Sequence, residues 1–208
     1  MDGSAKRRFI VVSVNSARKI ILASSSKYRQ NLLSRLQLGF ESIAPDTDES
    51  IKKNEQPQNF VKRVSLDKAY KIAEENIDAV VIGSDQIAVF NDQIIGKPGT
   101  HQNAFQQLKS FSGNKIDFLT GVAVIIHSKQ VEKYRLSKVT VKFKALTEQQ
   151  IENYLLVDKP YDCAGSFKVE SLGISLFESI QSDDPTSLEG LPLITVCNLL
   201  AELDIETG

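Results

Sequence analysis

KIILASSSKYRQNLL, residues Lys19 to Leu33, decides the fold class. KIILA is a short β-rich run, and Leu32, Leu33 and Leu36 after it share one helical face. Ser25 or Ser26 is placed to cap that helix, so the stretch reads strand, serine-rich turn, helix. Working outward, Phe40 to Ala44 predicts a second strand that runs into the exposed acidic loop PDTDES, residues 45–50. Asn59 to Glu75 is helical, with Val61, Val64 and Ile72 in one stripe. Lys68 lies in that same stripe and either snorkels past the core or points into a cleft. Ala79 to Ile82 reads as a buried strand with GSDQ directly after it, and Ile87 to Phe90, a polar turn at Asn91, Asp92 and Gln93, and Ile94 with Ile95 read as a hairpin.

Beyond the hairpin, Thr100 caps a helix carrying Ala104, Leu108 and Phe111, with Gly113 at its end. Phe118 to Ile126 and Val131 to Val141 predict two long antiparallel strands. Thr147 and Gln150 form a capping-box pattern, and Pro192 opens a last helix carrying Ile194, Cys197, Leu200 and Leu203. This mixture of alternating and antiparallel elements is α/β or α+β, with a central cleft between two lobes.

The chain has 208 residues and a mass of 23.1 kDa, enough for one large domain or two small lobes around a real core. Its 25 basic and 26 acidic residues give a net charge of -1, so no global basic field recruits nucleic acid. Cys163 and Cys197 lie far apart, in apolar surroundings, with no CxxC motif or Cys/His cluster. They read as buried thiols of a reducing compartment rather than zinc ligands. The apolar run from Phe9 to Val14 is too short for a signal-peptide core, and no stretch reaches membrane-spanning length. The expectation is a soluble cytoplasmic protein, with an N-terminal extension over residues 1–18 and a single domain over 19–208.

Candidate chemistry begins at the serine turn. A strand running into a helix leaves free N–H groups and a positive dipole end, which attract anions. Ser24 and Ser26 add hydroxyl donors there. Arg29 in the first turn opposes the dipole unless an anion is bound; the alternative is a serine cap beside a solvated arginine. Asp85, directly after a buried strand, stands where α/β ligand sites gather, or else caps a turn. Glu49 in the acidic loop could share a divalent cation with Asp85, and hard oxygen ligands suit Mg²⁺ or Mn²⁺. With Lys68 and Lys97, the set suits hydrolysis of a phosphoanhydride: cations hold phosphates while acids hold metal or activate water. No GxxxxGK[ST] segment occurs, so the chain has no Walker-type phosphate loop.

In this order, ILASSSKYRQNLL, APDTDES, SLDKAY, IGSDQ, GKP, LTGVAV, LTEQQIENY, YDCAGSFKVES and EGLPL resemble the Maf family of nucleoside triphosphate pyrophosphatases. Each segment is weak alone; nine in order, across residues 19–203, are highly specific. The resemblance implies an α/β fold of two lobes of mixed sheet and helices around a deep cleft, Maf/ITPase-like and usually dimeric. It implies cleavage of a nucleoside triphosphate to a monophosphate and diphosphate with a divalent metal. Ser24, Ser26, Arg29 and Lys97 then match phosphate-binding positions. Glu49, Lys68 and Asp85 match catalytic ones, Glu49 and Asp85 for the metal and Asp85 as general base. Gln86 after Asp85, the FKVE segment 167–170 and the DDPTSLEGLP segment resemble the branch acting on 7-methyl-GTP rather than the dTTP/UTP branch. In that branch Tyr28, Gln86 and Glu170 fall at the base-reading positions. Two departures stand out: Lys27 replaces the usual proline and Gln30 the usual second arginine, a contact Lys27 could supply instead. A dTTP/UTP pyrophosphatase and a nucleotide-binding regulator of division or septum formation are the competing readings.

Overall fold

The computed structural model describes residues 18–207, so the expected N-terminal extension, Arg18 apart, lies outside the described residues. Strand β1, Ile20–Ala23, leads through the serine turn into helix α1, Lys27–Ser34. Strand β2, Phe40–Ile43, and helix α2, Pro57–Ala73, follow. Then come β3, Val80–Phe90, β4, Gln93–Ile95, and α3, His101–Phe111. The long hairpin of β5, Lys115–Ile126, and β6, Val131–Phe143, precedes α4, Glu148–Asp158. Strand β7, Phe177–Ser182, and helix α5, Leu193–Ala201, close the chain.

The seven strands among the described residues form one sheet in the order β2-β1-β3-β5-β6-β7, with β4 paired to β3. β1 is parallel to both neighbours; β3, β5, β6 and β7 are antiparallel in succession. The sheet is therefore α/β at one end and antiparallel at the other. At the parallel end α1 and α5 bury Leu32, Leu33, Val196, Leu199 and Leu200 on one face, while α2 buries Ala69, Ile72 and Ala73 on the other. At the antiparallel end α3 and α4 enclose an aromatic core, with Phe111, Phe118, Phe143, Phe167 and Phe177 in mostly edge-to-face pairs. The two packed ends of the sheet are the two lobes, and β3 and β5 run through both.

Three local expectations change. The runs Ala79 to Ile82 and Ile87 to Phe90 are not separate: β3 continues unbroken through GSDQ from Val80 to Phe90, because β5 pairs with it from Val81 to Val89. Only the parallel pairing with β1 stops, at Gly83. Helix α5 buries Leu193, Val196, Leu199 and Leu200, while Ile194 is half exposed; the buried stripe is rotated from the expected one, and Pro192 is the cap rather than an inner residue. Neither cysteine is fully buried.

Candidate active site

The serine turn folds as its residue types demand. Ser26 caps α1, its Oγ accepting the Arg29 N–H at 3.4 Å, and Ser24 Oγ accepts the Ser26 N–H at 3.1 Å. Both hydroxyls thus serve the backbone as acceptors and keep their own protons to donate. The N–H groups of Lys27 and Tyr28, in the first turn, have no intrahelical acceptor. Ser42 Oγ donates to Ser24 O at 2.7 Å and ties the turn to β2. Arg29 does not float: its Nε donates to Gly190 O at 2.9 Å, where Gly190 turns with φ of 114° after the DDPTSLE segment. Burial lowers the guanidinium's pKa, while the carboxylates of Asp85 and Glu49 pull it back up. An anion at this turn would meet the remaining guanidinium nitrogens, two hydroxyls and open backbone N–H groups.

Lys68, Asp85 and Glu49 come together. Lys68 is 5% exposed, and its Nζ donates to Asp85 Oδ1 at 2.8 Å and lies 2.8 Å from Glu49 Oε1. The lysine in the α2 stripe therefore points into the cleft. Glycine in the sheet makes this possible. A Cβ at Gly83 would meet Ser65 O of α2 at 2.3 Å and Ala69 Cβ at 2.8 Å. Helix α2 thus lies directly on β3, one turn from where Lys68 must reach Asp85. Asp85 sits two residues beyond the end of the parallel pairing, on the strand common to both lobes.

The surrounding cleft has a volume of about 1140 Å³, room for a nucleoside triphosphate. Ser24, Ser26, Tyr28, Arg29, Glu49, Lys68, Asp85, Gln86 and Lys97 all line it. Lys27 lines it too, exposed at the start of α1, as do Asp162 and Ala164, which the sequence reading did not single out. Glu170 is the one expected site residue outside the lining; it is exposed, yet near enough to act on Tyr28. Burial, then Cys163 and Asp162, and last Glu170, push the Tyr28 hydroxyl pKa up, so it stays a neutral donor. Burial beside Asp162 likewise pushes the Cys163 thiol up to about 12. Gln86 spends both amide hydrogens on the scaffold, donating to Thr120 Oγ1 at 2.9 Å and Ser187 O at 2.6 Å. What it has left is its carbonyl oxygen, an acceptor.

No group of three or more His, Cys, Asp or Glu side chains assembles into a metal site among the described residues. Two carboxylates do converge on one point, and each has only one oxygen taken by Lys68. That donor set fits Mg²⁺ or Mn²⁺, which are commonly held by one or two carboxylates, waters and substrate phosphates.

Three comparisons bear on this cleft. Residues 19–203 match the family described as Maf-like protein. A 7-methyl-GTP pyrophosphatase of Pseudoalteromonas translucida (strain TAC 125) is 48% identical over 187 residues, 90% of this chain and 93% of that protein. The protein of the same description from Pseudomonas aeruginosa is 46% identical over 187 residues, 90% of this chain and 97% of the relative. Among solved structures, a HAM1 protein from Coxiella burnetii superposes with a TM-score of 0.52 at 15% identity, covering 89% of this chain and all of that one; this likeness is one of fold. With its residues 19–203 matched by that family and 90% of its length by a relative at 48% identity, the chain belongs to the Maf family.

Proposed function

We propose that the protein hydrolyses 7-methyl-GTP to 7-methyl-GMP and diphosphate, clearing a modified nucleotide. The observation that carries the reading is Lys68 held between Asp85 and Glu49 in a cleft that also takes in the α1 anion turn. The named activity of relatives near 48% identity supports the substrate. In the reaction a water oxygen bonds to the α-phosphorus, Asp85 accepts its proton, and the bond from the α-phosphorus to the α,β-bridging oxygen breaks. The electron pair leaves on diphosphate, whose charge Arg29, Lys68 and Lys97 offset, with the hydroxyls of Ser24 and Ser26 donating to phosphate oxygens. A divalent cation, Mg²⁺ or Mn²⁺ held by Glu49 and Asp85, supplies charge neutralisation for the triphosphate.

For the base, Gln86 presents an acceptor and not a donor, which complements the N1–H and amino groups of guanine. Tyr28 offers an aromatic face to the cationic methylated ring, and Glu170 a carboxylate to balance its charge. The reading places the enzyme in the cytoplasm as a homodimer, acting on a free nucleotide rather than nucleic acid. No helix among the described residues is long and apolar enough to cross a membrane. In support of a dimer, Leu156, Val157, Leu172, Ile174 and Ile180 are exposed around α4 and the edge strand β7.

The test is the position of bond cleavage. Hydrolysis of 7-methyl-GTP in ¹⁸O-water should put the label in 7-methyl-GMP and leave diphosphate unlabelled. Release of 7-methyl-GDP and phosphate would overturn the reading.

A further inference from the structure

Arg63 lies five residues before Lys68 on α2 and has no part in the cleft wall. Its guanidinium makes a bidentate pair with Glu55, Nε to Oε1 at 2.7 Å and Nη2 to Oε2 at 2.8 Å. The same group reaches back to the acidic loop: Nη2 donates to Ser50 O at 2.9 Å and Nη1 approaches Asp48 O at 3.5 Å. Those two carbonyls flank Glu49. Three further contacts close the arrangement. Asp48 Oδ1 accepts the Ser50 N–H at 2.9 Å, Glu55 Oε2 accepts the Lys52 N–H at 3.0 Å, and the guanidinium stacks 5.4 Å from the centre of the Phe60 ring.

The loop between β2 and α2 has no strand or helix of its own and takes positive φ at Asp46 and Asn54. A connection of that length needs side-chain anchors to hold one shape. Lys68 supplies an anchor for the Glu49 carboxylate, and Arg63 supplies one for the backbone on either side of it. A planar fork spans a carboxylate and two carbonyls in one fixed geometry; a lysine at position 63 would be a compact point charge that cannot make the bidentate pair with Glu55 while reaching both carbonyls.

We propose that Arg63, braced by Glu55, is the positioning residue of Glu49: it fixes the loop backbone so that the carboxylate faces the divalent cation. This rests on the reading of Glu49 as a metal ligand. Groups that orient a ligand typically change metal affinity about 10- to 100-fold when removed.

The experiment titrates Mn²⁺ by electron paramagnetic resonance into the full chain with the α,β-methylene analogue of 7-methyl-GTP, whose scissile bridge is blocked. Parent, Glu49→Gln, Arg63→Lys and Glu55→Gln proteins are compared, each with its melting temperature. The proposal expects Arg63→Lys to weaken Mn²⁺ binding about tenfold or more, and Glu55→Gln to weaken it in the same direction. Turnover should show the matching rise in the Mn²⁺ concentration for half-activation. If Glu49→Gln loses Mn²⁺ binding while Arg63→Lys and Glu55→Gln bind it like the parent, Arg63 is a fold anchor only and the proposal fails. If Glu49→Gln itself binds Mn²⁺ normally, the metal reading of Glu49 fails, and the positioning role with it. Should Arg63→Lys not fold, Glu55→Gln alone decides.

Discussion

Lys68 shows how one side chain brings two acids to one point. Its nitrogen, on a residue 5% exposed and with carboxylates on two sides, ties Glu49 and Asp85 together and leaves each acid one oxygen free. Replacing Asp85 with Asn keeps the shape and removes the base, so kcat should fall about a hundredfold or more. Steady-state diphosphate release checks this, and wild-type turnover in Asp85→Asn would exclude it as the base. Lys68→Ala should lose both turnover and melting temperature, because Asp85 is left buried and unpaired; adding Asp85→Asn should restore much of the stability and none of the activity. Base reading belongs to this scale too. In Tyr28→Ala and Glu170→Gln the ratio of kcat/KM for 7-methyl-GTP over GTP should drop, by about 2- to 30-fold for a cation–π contact worth roughly 0.5–2 kcal/mol. If both keep the parent's preference, these residues do not read the base. Residue types at this site were legible in the sequence, since a lysine in an apolar stripe and an aspartate after a buried strand are conspicuous. Their partners were not. That Arg29 is held by Gly190, and Gln86 by Thr120 and Ser187, depends on contacts across more than thirty residues of chain.

At the scale of elements, α2 is positioned from below and does the positioning above. Below it, Gly83 has no space for a side chain: a Cβ would sit 2.3 Å from a backbone oxygen that cannot turn away. Gly83→Ala should therefore displace α2, cost about 1–3 kcal/mol and separate Lys68 from Asp85, which calorimetry and turnover would register together. Above it, the Arg63–Glu55 pair holds the acidic loop, and hydrogen bonding from Arg63 draws the Glu55 carboxyl down to about 2. A carboxyl with a lowered folded-state pKa stabilises the fold above its unfolded value, about 4.3, and that contribution is lost as pH falls toward about 2. Acid titration of Glu55→Gln should accordingly show a shallower fall in melting temperature between about pH 4.5 and 2 than the parent does. A parallel fall in both proteins would contradict the pairing. The strand through GSDQ explains why the sequence reading broke it into two. Glycine and aspartate are poor strand formers, and pairing with β5, joined by β1 as far as Gly83, keeps them extended. Helix α5 was misplaced for a related reason: Leu193, Val196, Leu199 and Leu200 form a stripe as regular as the expected one, and the choice between them is made by the sheet face it covers.

The described residues build one sheet packed at both ends, with the cleft between, and β3 and β5 run through both ends. Alternating and antiparallel segments foretold this mixture, whereas the strand order, with β1 between β2 and β3, came only from the structure. The central claim is hydrolysis with a preference for the methylated base. It is tested most directly by kcat/KM for diphosphate release from 7-methyl-GTP, GTP, dTTP and UTP, with Mg²⁺ or Mn²⁺ and with EDTA. The expected result is the highest value for 7-methyl-GTP, abolished by EDTA. A higher value for dTTP or UTP, or tight nucleotide binding with no diphosphate released from any of the four, would contradict it.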